Sequence, residues 1–118
     1  MKMSDDDIKQ ALNDAYEHPF RLPVTAYLTN AQVIACCCIG EVHRHVRADN
    51  NGWFADWNSI RTSEIRQVML DGEYWVIRTD SGNHYVLVTF HVQGGKASLR
   101  DFMKYLFNGL FPSPKSCN

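Results

Sequence analysis

Residues 73–92 read Glu73-Tyr74-Trp75-Val76-Ile77-Arg78-Thr79, then Asp80-Ser81-Gly82-Asn83, then His84-Tyr85-Val86-Leu87-Val88-Thr89-Phe90-His91-Val92. Two runs rich in β-branched and aromatic residues flank a four-residue polar segment containing glycine, and that combination specifies a β-hairpin. Upstream, Glu64 to Leu70 is a third run of this kind, and Asp71-Gly72 joins it to the hairpin through a tight turn. The three runs form a meander. Tyr74 and Val76 point to one face while Trp75 and Ile77 point to the other, so both faces of this sheet are apolar and both require a cover.

Working toward the N-terminus, Ser59 to Thr62 is a short extended piece preceded by Trp53-Phe54-Ala55-Asp56-Trp57, and Asp49-Asn50-Asn51-Gly52 is a turn. Between residues 24 and 48 the chain is rich in Val, Ile, Thr and Cys. With Thr29-Asn30 and Gly40 as its breaks, this segment divides into strands Val24 to Leu28, Gln32 to Ile39 and Glu41 to Arg47. In the last, Val42, Arg44 and Val46 share one face and Glu41, His43, His45 and Arg47 the other. Pro19 to Pro23 is a connector, because proline removes a donor and restricts its predecessor. Before it, Ser4 and Asp7 have the spacing of a capping box, and Ile8, Ala11, Leu12, Ala15 and Tyr16 recur at helical spacing.

Toward the C-terminus, Gln93-Gly94-Gly95 breaks the sheet, and Ser98 with Asp101 repeats the capping pattern. Leu99, Phe102, Met103, Leu106, Phe107 and Leu110 then form one apolar stripe. That stripe is expected to roof the sheet. Phe111-Pro112 ends the helix before a polar tail, residues 112–118. The expectation is a single α+β domain over residues 1–118: an N-terminal helix, a curled antiparallel sheet of about five strands, and a C-terminal amphipathic helix packed on the sheet.

The chain of 118 residues carries 12 Lys+Arg against 13 Asp+Glu, a net charge of -1 that suits neither a strongly basic nucleic-acid binder nor an acidic mimic of one. No apolar run approaches the ~18 residues of a membrane span and no apolar signal core follows Met1, so a cytoplasmic protein is expected, without membrane attachment. Cys36, Cys37 and Cys38 are consecutive and Cys117 stands apart. Such spacing is unlike a disulfide framework, and the run reads as reduced, buried apolar residues.

Cys36 and Cys38 with His43 and His45 have the residue types of a zinc site across Gly40. Strand positions two apart do not converge as knuckle ligands do, so neither a metal nor any other cofactor is expected. A nucleophilic cysteine would need a lowered pKa, which burial opposes. No Walker, G-x-S-x-G, H-E-x-x-H or C-x-x-C motif is present, and the chain is not read as an enzyme. A metal-binding or enzymatic role for the Cys/His set stays as a second alternative.

Arg44, Arg47, Arg61 and Arg66, interleaved with aromatic residues, suit a small nucleic-acid-binding β module, the first alternative. Against it, six basic residues from Arg61 to Lys104 face five acidic ones, and outward arginines also serve to cover apolar surface. By exclusion, the leading expectation is a protein-binding domain acting by surface recognition, with a homo-oligomer as one form of it. Trp57 and Asp56 are one candidate contact region, since large aromatics beside loops anchor interfaces. Trp53 and Phe54 are read as core. The acidic face of the first helix, with Asp5, Asp6, Asp14 and Glu17, is the second candidate region.

Ser59-Ile60-Arg61-Thr62-Ser63-Glu64-Ile65, followed by Tyr74-Trp75-Val76-Ile77-Arg78-Thr79-Asp80-Ser81-Gly82-Asn83-His84-Tyr85-Val86-Leu87, loosely resembles a pattern in small phage- or mobile-element-encoded accessory proteins, including anti-CRISPR-like inhibitors. The resemblance covers about a quarter of the chain and carries over no functional residue. It implies a single non-catalytic domain that inhibits a host defence complex.

Overall fold

A computed structural model describes residues 3–48 and 52–108. Helix α1 (Asp5–Glu17) begins at the expected capping box: the Ser4 hydroxyl accepts the Asp7 N–H at 3.2 Å, and the Asp7 carboxylate accepts the Ser4 N–H at 3.4 Å. Two orphan donors are thereby satisfied. The helix stops at His18, the residue before Pro19. Strands β1 (Ala26–Ile34), β2 (Cys37–His43), β3 (Ser59–Arg61), β4 (Ile65–Asp71), β5 (Tyr74–Thr79) and β6 (His84–Leu87) follow, and α2 (Gly95–Asn108) comes last.

All six strands lie in one sheet of order β3-β2-β1-β6-β5-β4. Two antiparallel meanders, β1–β2–β3 and β4–β5–β6, meet along a parallel seam that pairs Ala26 with Tyr85, Tyr27 with Val86 and Leu28 with Leu87. The α+β architecture with a helix at each end is therefore the expected one. The sheet differs from expectation in having six strands and in being mixed, because each meander covers its inner edge with the other.

The first meander breaks elsewhere than its sequence suggests. At Thr29-Asn30 the strand does not end but bulges, with Asn30 at φ 56° and the register shifting between Thr29 and Gln32. Gly40 is interior to β2, where a Cβ would lie 3.0 Å from the Thr29 carbonyl oxygen. The β1–β2 turn falls instead on Ala35 and Cys36, at φ 51° and 66°. A two-residue turn of this hand ordinarily takes Asn-Gly. Cys36 thus belongs to a turn, which corrects the reading of a strand residue, and Cys37 and Cys38 are free thiols. Burial pushes the Cys38 thiol up to about 12.

Helix α2 starts at Gly95, three residues before the expected cap. Ser98 acts as a tie between helix and sheet: its hydroxyl donates to the Gly95 carbonyl at 2.6 Å and accepts the Val33 N–H of β1 at 2.9 Å. Leu99 and Phe102 are buried and Met103 and Leu106 pack against Leu28, Val42 and Ile77 in one cluster, so the stripe does roof the sheet. Phe107 is 67% exposed, outside that contact. Leu110 and the polar tail lie outside the described residues. On the opposite face, α1 buries Leu12 and Ala15, and Tyr16 meets Tyr27 edge-on at 4.8 Å.

Candidate functional site

Strand β2 ends at His43 because Arg44 turns left-handed, at φ 51°, and the expected alternation through Arg47 stops there. The chain returns at Trp57, also left-handed at φ 74°. Its N–H donates to the Val42 carbonyl at 2.7 Å, and the Val42 N–H donates to the Asn58 carbonyl at 2.8 Å. The Asp56 carboxylate accepts the Arg44 N–H at 2.9 Å, closing the base of the excursion. A bulky residue at positive φ costs roughly 1–3 kcal/mol and persists only where its surroundings enforce it. Here those hydrogen bonds do so.

Beneath Trp57 lies a buried polar pair. His43, only 1% exposed, is hydrogen-bonded through Nε2 to the Thr29 hydroxyl at 2.8 Å and presents its ring edge-on to Trp57, centroids 4.5 Å apart. The Thr29 hydroxyl is also 3.5 Å from the Glu41 carboxylate. Burial pushes the His43 imidazole down from its ordinary value, and the Asp56 charge opposes that shift.

Trp57, 42% exposed, stands in the wall of two clefts. The larger, about 520 Å³, includes Asp5, Asn30, Glu41, Phe90 and His91 in its lining. The smaller, about 150 Å³, lies between α1 and the excursion and includes Lys9, Tyr16, His43 and Asp56.

Of the expected contact residues, Asp5, Asp56 and Trp57 come together around these clefts. Asp6, Asp14 and Glu17 are exposed on α1; Asp14 accepts the Gln10 side-chain amide at 2.9 Å and faces a different depression with Tyr74 and Lys96. The arginines are scattered. Arg44 places its guanidinium 3.6 Å over the Tyr16 ring, Arg47 lies 5.6 Å over Phe54, and Arg66 pairs with Asp80 at 3.0 Å. Arg61 and Arg66 occupy β3 and β4, the two outermost strands of the sheet.

The Cys/His set does not converge either. Cys38 and His43 are five apart on β2 and so point to opposite faces, while Cys36 lies in the β1–β2 turn. His45, 4% exposed, stacks on Phe54 at 3.9 Å; its Nδ1 accepts the Arg47 N–H, and its Nε2 has no hydrogen-bond partner. Among the described residues no group of three or more His, Cys, Asp or Glu is placed to hold a metal.

Trp53 is a correction. It is 85% exposed, not core, because residues 52–57 form turns and offer no strand to point it inward. The partnership of Thr29, Glu41 and His43 under Trp57 escapes sequence reasoning, since alternation assigns His43 to a polar strand face.

No known protein family, no curated protein and no solved structure matches this chain. Among the described residues, no helix is long and apolar enough to cross a membrane.

Proposed function

We propose that the chain is a protein-binding domain and that the Trp57 clefts are its docking site. One observation carries this reading: a half-exposed tryptophan is held in a strained backbone conformation, on a hydrogen-bonded base, between two clefts. Strain of this kind is retained where a side chain must be presented in one fixed direction. A rigid aromatic presented beside polar groups supplies contact area at small entropic cost, which is how interface anchors work. The resemblance to accessory inhibitors adds the expectation that binding blocks the partner.

The test is affinity capture from the native source with mass-spectrometric identification, followed by calorimetry with the purified partner. Trp57→Ala should weaken that complex by about 2 kcal/mol or more, roughly thirtyfold, as an anchor residue does. Unchanged affinity would remove Trp57 from the interface. Tight, salt-sensitive binding of RNA or DNA through Arg44, Arg47, Arg61 and Arg66 would favour the nucleic-acid alternative instead.

A further inference from the structure

We infer that the larger cleft accepts an arginine side chain from the partner, a conclusion that rests on the docking reading above. Asp5 and Glu41 line it together with Trp57 and Phe90. This is the composition that recognises a guanidinium: an aromatic face to stack on and carboxylates to accept its N–H groups.

The carboxylates are not neutralised internally. Among the described residues the ion pairs are His18–Asp71, Arg21–Asp71 and Arg66–Asp80, and none involves Asp5, Glu41 or Asp56. Glu41 receives one long hydrogen bond, 3.5 Å from the Thr29 hydroxyl, which leaves most of its acceptor capacity unused. His91, also in the wall, accepts the Gln93 N–H at Nδ1.

Among the described residues, the lining of the larger cleft holds no lysine or arginine. Lys9 lines the smaller cleft, and the Arg44 guanidinium already sits on Tyr16. The first turn of α1 carries Asp5, Asp6 and Asp7, which more than offset the partial positive charge of the helix end. A volume of about 520 Å³ accommodates a long side chain with its adjoining backbone. Arginine suits the site better than lysine, because a flat guanidinium can stack on Trp57 and reach two carboxylates at once.

The experiment titrates N-acetylarginine methylamide into the protein and follows the three indole N–H resonances by NMR. Exposed Trp53 serves as the internal control. The Trp57 resonance should shift saturably while that of Trp53 does not, and the uncharged citrulline analogue should bind about tenfold more weakly. Glu41→Gln, which keeps the acceptor for Thr29 and removes the charge, should weaken the arginine derivative by a similar factor. Equal binding of the arginine and citrulline derivatives overturns the inference, as does a Trp57 resonance that neither moves. In that case, loss of partner affinity in Trp57→Ala would show that the docking reading survives with other chemistry in the cleft. Retained affinity would end both.

Discussion

The two faces of the sheet are built on different terms. Toward α2 the cluster is apolar, Leu28, Val42, Ile77, Leu99 and Phe102 with Cys36 and Cys38, and the Ser98 hydroxyl ties the helix to β1. Toward α1, at the end of β2, the sheet buries Thr29 and His43 and carries two left-handed residues, Arg44 and Trp57. The first face contributes stability at almost every contact. The second retains a strained backbone and a desolvated imidazole, features that lower stability locally and persist at sites where a side chain is presented for use.

If the contrast holds, Leu99→Ala and Phe102→Ala are the most damaging changes. Each should lower the unfolding free energy in denaturant by roughly 2–5 kcal/mol, as buried large-to-small substitutions do. Light scattering would show whether Phe102→Asp instead gives a folded monomer from a dimer, an outcome that would make α2 an interface. On the other face, Thr29→Val leaves His43 Nε2 without its partner and should cost about 1–3 kcal/mol. A loss as large as that at Phe102 would erase the distinction between the two faces.

Acid sharpens the comparison further. His43 and His45 are both held below the ordinary histidine value of 6.5, first of all by burial. In each case the unfolded chain binds a proton more readily than the folded one. Stability should therefore decline as pH falls below about 6.5 and level off beneath the depressed folded values. His45→Leu should make that decline shallower in pH-dependent denaturation. Asp71 has the opposite relation: the Arg21 N–H, then the His18 side chain, hold its carboxyl below 3.8, so its contribution is present above that value and disappears as pH falls through the lowered one. Asp71→Asn should remove this second, more acidic step and leave the first in place.

The smallest effect on stability is expected at Trp57, the proposed anchor. Trp57→Gly relieves the left-handed strain but forfeits the half-buried ring packed on His43, and these opposing changes, each of the order of 1–2 kcal/mol, should nearly cancel. A protein that melts as before yet has lost its partner would separate presentation from stability. A loss above about 3 kcal/mol would place the ring among the core residues.

The second meander is readable in the sequence because its information is local. Gly72, at φ 62°, and Gly82, at φ 84°, stand in the turns that their sequence announces. The first meander turns on Ala35-Cys36, residues with no conformational preference for that backbone, so surrounding pairings impose what the sequence does not signal. Trp57 is recognisable as exposed from its neighbours Asp56 and Asn58. Trp53 is misplaced by alternation, which has no meaning where there is no strand. His43 lies on the face that alternation gives it, with Glu41, but its burial depends on a hydroxyl supplied by a neighbouring strand, which no window around residue 43 contains.

The seam between β1 and β6 has a consequence for the timing of synthesis. Thr25 and His84, 59 residues apart, are hydrogen-bonded beside it, so the inner edge of β1 has no mate until the sixth strand has been made. At roughly 5–20 residues per second the ribosome takes about 3–12 s to cover that distance, whereas hairpins close in microseconds. For the part of that interval after His43 has been made, about 2–8 s, a nascent chain displays a finished hairpin with one bare, largely apolar flank, Ala26, Leu28 and Ala31 among it. Crowding of ribosomes on one message would bring identical flanks side by side, and slow codons before residue 84 would lengthen the exposure.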